Sequence, residues 1–275
     1  MSNLLGIDFE EWYHPEFIQK FLENKKHPQK IFQGIDKIID FLRKFDTNAT
    51  FFMVGEILES HPEILDKILE NGHEIGFHTM YHTRLDEPNF KKKFSEELQI
   101  FQKLTNKKSK GFRAPTFSLN EKSAWAIDEL ILNGYKYDSS IVPAKMYLYG
   151  NSNAETIPYQ ISKNSLYHND QNSSLTEYPL MITKFFGKKI PAGGGFYLRT
   201  LPLKIIKNAI QNYEKEGKPA TFYIHSWELT PEYMPEISLP AKEKFVTYHN
   251  LKNTMDNLGK ILKSYEFTSF ESLLN

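Results

Sequence analysis

The sequence predicts an α/β fold in which a parallel sheet carries its helices on the outside, wound toward a barrel. Three observations predict it. Short apolar runs alternate with amphipathic runs about seven times. The short runs are rich in β-branched and aromatic residues, as strands are. Ionisable groups gather at the C-terminal ends of those runs, where βα barrels keep their reactive residues. A single domain over residues 1–275 fits the length, and a core of this size needs no staples.

The elements follow in order. Residues 4–8 read as a strand with a glycine inside and acids at its end. Residues 34–45 place Ile35, Ile38, Ile39 and Leu42 at helical spacing. Residues 49–54 form the second strand. Ser60 and Glu63 suggest a capping box, with Pro62 in the first turn and Gly72 closing the helix. Residues 73–77 are a strand. Phe90, Phe94, Leu98 and Phe101 mark a helix, and residues 110–113 a short strand. Ser118 with Glu121 repeats the capping-box pattern, and Gly134 ends that helix. Residues 135–138 are the fifth strand. Thr200, Pro202 and Gly217 bracket a further helix, residues 219–225 are a strand, and residues 245–264 read as one last helix. The alternation breaks at about 143–198. That stretch is rich in Asn, Ser, Tyr and Pro and reads as an inserted region of hairpins and long loops.

Composition excludes several function classes. Lys+Arg and Asp+Glu each number 34, so the formal net charge is zero. General affinity for nucleic acid needs an excess of positive charge. The chain has no cysteine, which removes disulfide scaffolds, thiolate metal sites and thiol nucleophiles. No apolar run approaches the roughly 18 residues of a membrane span. Residues 1–13 carry Asp8, Glu10 and Glu11 where a signal peptide would be apolar, so a cytoplasmic location is expected.

The strand ends supply the chemistry. His78 and His82 are four apart. On a helical turn this puts both imidazoles on one face, a pair suited to zinc, cobalt or nickel. A third ligand must then come from an acid at another strand end. Asp8 and Glu10 alternate along the first strand and so share a side. One would bind the cation and the other take a proton from water. Arg113 would point into the same mouth and orient Asp8. His225 follows a buried-strand run and is a candidate general acid. Asp138 would hydrogen-bond His225 and favour its protonated form. Gly193-Gly194-Gly195 lacks the pattern of a phosphate loop and reads as a turn or a close backbone approach.

Four of these strings, in order, resemble the polysaccharide deacetylases of the NodB-homology, carbohydrate esterase family 4 type. They are Ile7-Asp8-Phe9-Glu10-Glu11, His78-Thr79-Met80-Tyr81-His82, Arg113-Ala114-Pro115 and Tyr223-Ile224-His225. Further strings around Trp12, Gly194 and Trp227 resemble a subgroup associated with exopolysaccharide synthesis. The resemblance implies a distorted (β/α)7 barrel and removal of an acetyl group from an N-acetylated amino sugar. It implies a divalent metal, zinc by preference, on Glu10, His78 and His82, with Glu11 as the alternative acid. It implies Asp8 as base, steadied by Arg113, and His225 as acid. A backbone N–H near Thr116, after Pro115, would face the oxyanion, and Trp12 and Trp227 would wall the sugar site. Asp138 is carried over at the fifth strand end. The partner expected is an N-acetylated saccharide, with no nucleic acid and no integral membrane segment. Two other readings remain: hydrolysis of a small cyclic amide, or saccharide binding by a decayed site.

Overall fold

The computed structural model describes residues 2–22 and 27–274. Its strands are β1 (Asn3–Phe9), β2 (Thr50–Met53), β3 (Glu74–Phe77), β4 (Gly111–Phe112), β5 (Tyr137–Asp138), β6 (Tyr159–Gln160), β7 (Thr176–Glu177), β8 (Ile182–Phe185), β9 (Lys188–Pro191), β10 (Thr221–His225) and β11 (Phe267–Thr268). The main sheet runs β10-β1-β2-β3-β4-β5-β7-β6, with β11 added beside β1. Only the β6–β7 pair is antiparallel. This is the expected α/β architecture, a curled and open half-barrel with helices outside.

Side-chain alternation explains the curl. Leu5, Ile7 and Phe9 of β1 point outward and join Phe51, Met53, Ile75, Phe77 and Ile224 in the main core under the helices. Leu4 points inward with Phe52 and Tyr137, around which Phe270 packs. Every residue of β1 is buried, as in a parallel strand covered on both faces. The inward face also carries Gly6. A Cβ there would lie 2.6 Å from Arg113 Nη1 and 2.9 Å from the Phe52 ring. The glycine leaves the barrel interior open for a guanidinium.

Stretches within residues 143–198 complete this wall. Tyr178 N–H donates to Asp138 O at 2.8 Å, Leu180 N–H to Ile141 O at 3.0 Å and Met181 N–H to Thr221 O at 3.0 Å. Tyr223 N–H donates to Gly193 O at 2.8 Å. Gly194 has φ 121°, and a Cβ on it would sit 1.6 Å from Tyr223 O. The triple glycine is therefore a close approach of two backbones. The same segment carries the hairpin β8–β9 as a separate small sheet.

Local expectations fail at three places. Residues 245–264 are not one helix: helices span Ala241–Tyr248 and Thr254–Leu262. Asn250 between them has φ 51°, a conformation that ends helices, and its amide donates to Arg199 O at 2.9 Å. Ser60 caps nothing; its hydroxyl donates back to Glu56 O, and helix Glu63–Glu70 begins at Pro62. Ser118 accepts from Leu85 N–H instead of starting a helix. The next helix begins later, at Trp125. No helix among the described residues is long and apolar enough to cross a membrane.

Candidate metal centre and active site

The C-terminal ends of β1 and β3 bring three potential ligands together. One donor atom each of Glu10, His78 and His82 lies within 4.8 Å of the others, and all three residues are buried. His82 Nε2 is 2.6 Å from Glu10 Oε2, and His78 Nε2 is 3.8 Å from it. The expected helical turn is absent. Residues 78–82 form a loop in which Thr79 and His82 take φ of 56° and 54°. Long-range bonds hold it: Gly55 N–H donates to Thr79 O, Glu56 N–H to Met80 O, and Met80 N–H to Glu97 Oε2 at 2.9 Å.

The protonation states suit a cation. His78 Nδ1–H donates to Arg113 O at 2.7 Å, leaving Nε2 free to face Glu10. This backing orients a ligating histidine. Burial pushes the His78 imidazole down to about 4, so its lone pair is available. Burial would raise the Glu10 carboxyl, but His82, His225 and His78 together hold it well below the ordinary range. Glu10 Oε1 accepts from Trp227 Nε1 at 3.0 Å. Glu10 Oε2 is buried and faces His82 Nε2 at 2.6 Å and His78 Nε2 at 3.8 Å. A charged oxygen flanked by two imidazole nitrogens fits a divalent cation, and two imidazoles with one carboxylate suit zinc, cobalt or nickel.

Glu11 turns the other way. Its Oε1 accepts from the backbone N–H of Lys30 at 2.6 Å and of Ile31 at 2.7 Å, closing the start of the 3₁₀ turn Ile31–Gly34. Burial pushes its carboxyl up to about 7. Glu10 therefore faces the histidine pair, and Glu11 faces the backbone of the 3₁₀ turn.

Asp8 and Glu10 share the cleft, as strand alternation requires. Asp8 Oδ1 accepts from Arg113 Nη1 at 2.6 Å. Arg113 is fully buried. Its Nε donates to Ser139 O at 3.0 Å, its Nη2 to Ser139 Oγ at 2.9 Å, and its plane covers the Phe52 ring at 4.0 Å. A guanidinium pinned on so many sides fixes the carboxylate it binds.

His225 ends β10, paired in register with Asp8. Its Nδ1 bonds Glu228 Oε2 at 2.7 Å, and its ring stacks on Trp227. Its Nε2 lies 3.9 Å from Glu10 Oε1. Burial would lower the His225 pKa, but the carboxylates of Glu228, Glu10 and Asp8 outweigh it, Glu228 most, and lift the group to about 9. Arg199 Nε donates to Glu228 Oε1 at 2.7 Å; burial works against the Glu228 charge, and Arg199 and His225 overcome it.

This corrects the role of Asp138. It is not the partner of His225. Asp138 Oδ1 accepts from Ser140 Oγ at 2.5 Å, and its carboxyl faces Glu177 on the neighbouring β7. Burial raises both groups, and the facing Asp138 charge raises Glu177 further. The strand β5 does not neighbour β10 in the sheet. Glu228 takes the role instead, three residues after His225 on one turn, where the two close a capping box.

The cleft encloses about 300 Å³. Thr116 and Trp227 line it; Pro115 and Trp12 do not. Trp12 is buried against Tyr13 and His27 and is a core residue, not a sugar platform. The apolar wall is made by Phe117, Tyr149, Phe196 and Tyr197. Beyond His82 and Thr116 a second, more polar recess of about 610 Å³ includes Arg84, Asn89 and Lys93.

The pH response of His225 follows from its partner. The proton is held below about 9 and lost above it. Glu228→Gln removes the largest of the charges that raise the pKa and leaves those of Glu10 and Asp8, so the value falls below about 9. Any reaction needing protonated His225 should then slow at pH 8, by about tenfold for each unit the pKa falls below 8, with its alkaline limb moved to lower pH. An unmoved limb in the pH–rate profile would show that another group titrates there.

The structure is a parallel half-barrel of the α/β class with a buried His–His–carboxylate set, able to hold a cation, at its C-terminal mouth. Comparison with known proteins narrows this class. Residues 32–135 match the polysaccharide deacetylase family, and residues 139–275 match a domain of unknown function (DUF3473). Residues 32–135 thus resemble the polysaccharide deacetylase family. The chain is 32% identical over 97 residues to a peptidoglycan-N-acetylglucosamine deacetylase of Bacillus cereus, covering 34% of this chain and 35% of that protein. It is 30% identical over 90 residues to the peptidoglycan-N-acetylmuramic acid deacetylase PdaC of Bacillus subtilis, covering 32% and 19%. The aligned stretches thus span about a fifth to a third of these relatives. A solved Mycobacterium smegmatis protein of the polysaccharide deacetylase type superposes with TM-score 0.60 at 14% identity, over 99% of this chain and 90% of that one. The Puue allantoinase structure gives 0.53 at 14%, over 98% and 85%. Both likenesses show the fold alone.

Proposed function

We propose that this chain is a metal-dependent hydrolase that removes the acetyl group from an N-acetylated amino sugar within a polysaccharide or its glycan precursor. One observation carries the reading: a fixed carboxylate, a three-residue site able to hold a cation and an imidazole backed by Glu228 converge on a single cleft. The two recesses meeting at His82 and Thr116 suit a saccharide longer than one ring. Zinc is the cation we favour, and exopolysaccharide assembly the setting.

A cation held by Glu10, His78 and His82 would supply Lewis acidity toward an acyl oxygen and acidify water. The protein groups do the rest. Asp8, oriented by Arg113, accepts the proton as water attacks the acetyl carbonyl. A backbone N–H near Thr116 faces the developing oxyanion. His225 Nε2 gives its proton to the amide nitrogen, and the C–N bond breaks to release acetate and the free amine. The amine is a poor leaving group until protonated, which is why both a base and an acid are needed.

Product analysis tests the reading. Incubation of the metal-loaded protein with N-acetylglucosamine oligosaccharides should yield acetate and amine in equal amounts. Ring opening of a cyclic amide without acetate from the oligosaccharides would contradict it, and saccharide binding without either product would indicate a decayed site. A second test isolates His225. His225→Ala should slow amide hydrolysis by about 10²–10⁴-fold. It should affect a nitrophenyl acetate far less, because that leaving group departs unprotonated. Equal losses on both substrates would remove His225 from the acid role.

A further inference from the structure

The hairpin β8–β9 lies outside the main sheet and outside the cleft. Its tip carries Phe185 and Phe186, 44% and 91% exposed. The two rings touch each other edge to face at 4.5 Å. Phe186 has φ 47° and Gly187 φ 76°. A two-residue turn of this hand favours Asn-Gly, and a bulky side chain at positive φ is conformationally costly. The chain thus holds a large apolar group in a strained, solvent-facing position where a small polar residue would be more stable.

Charge surrounds those rings. Lys184, Lys188 and Lys189 flank them, and residues 182–191 contain no acid. In a chain of zero net charge this is a local concentration. The base of the hairpin is fixed: Ile182 is buried, its N–H donates to Tyr213 Oη at 3.2 Å, and Lys189 Nζ donates to Ser152 O at 2.7 Å.

We propose that the hairpin tip docks the protein on an anionic lipid surface. Paired aromatics with flanking lysines match the two layers of that surface: rings enter the boundary between headgroups and acyl chains, and lysines meet the phosphates. An acidic protein surface would satisfy the lysines but offer no place for the rings. A second copy of the hairpin would bury the rings but set lysine against lysine. The inference is independent of the reaction assigned to the cleft.

Vesicle co-sedimentation tests it. The full chain should sediment with phosphatidylcholine vesicles containing phosphatidylglycerol, much less with phosphatidylcholine alone, and less at high salt. Phe186→Asn suits the turn and keeps the fold, checked by circular dichroism and melting temperature. Combined with Phe185→Ser it should reduce binding at least tenfold. Each lysine near an anionic surface strengthens binding by about fivefold, so Lys184→Glu with Lys188→Glu should weaken it by roughly 30-fold or more. Absence of wild-type binding, or equal binding by the variants, would overturn the proposal. A concentration-dependent dimer that Phe186→Asn dissolves, without vesicle binding, would overturn it in favour of self-association.

Discussion

Glu10→Ala is expected to bind no divalent cation where the wild type binds one per chain, and to lose all hydrolytic activity. The physical reason is ligand number. Two imidazoles alone rarely hold a divalent ion tightly, and Glu10 is the only acid within the cluster of donor atoms. His78→Ala should behave in the same way. Glu11→Ala is the control one residue away. It should keep its metal, because its carboxylate faces the backbone N–H groups of Lys30 and Ile31. It should instead lose stability, about 1–3 kcal/mol for buried donors left unpaired. Metal content measured on purified variants, beside thermal melts, separates the two. Full occupancy in Glu10→Ala would show that the ligand set is wrong.

Asp8→Asn should give the second large effect: turnover falling by about 10²–10⁴-fold with metal retained. The amide keeps the shape of the carboxylate, so the contact with Arg113 Nη1 survives in form while the base is lost. Stability should fall too, because Arg113 is fully buried. A buried charge stripped of its partner costs about 3–5 kcal/mol. Single-turnover rates, taken below the melting temperature on metal-loaded protein, isolate the chemical loss. A rate within a few-fold of wild type would assign proton acceptance to another group.

Several of these residues were legible in the sequence because a parallel βα fold writes its site in one place. Inward positions at strand ends are few, and Asp8, Glu10, His78, Arg113 and His225 occupy them beside dense apolar runs. The architecture was legible for the same reason: strands covered on both faces leave almost unbroken apolar stretches. Other features depend on geometry that leaves no pattern. Spacing of four fits a helical turn as well as the actual loop of His78 and His82, whose positive φ values at Thr79 and His82 arise from long-range backbone bonds. Asp138 meets Glu177 rather than His225 because β7, far along the chain, pairs with β5. Trp12 resembles a cleft residue in sequence, yet the turn after β1 buries it beside Tyr13 and His27. The helix break at Asn250 is hidden by apolar periodicity that continues across it. Glu228 did have a signal, the His-x-x-Glu spacing of a capping box just after a strand.

The proposed function requires metal in the Glu10–His78–His82 site to drive release of acetate from an N-acetylated saccharide. The direct measurement titrates metal-free protein with zinc and follows bound metal and acetate release in the same samples, using N-acetylglucosamine oligosaccharides. Acetate release should rise in proportion to occupancy, level off at one metal per chain, and vanish on chelation. Acetate release that persists after the metal is stripped, or a fully occupied site that frees no acetate, would contradict the account.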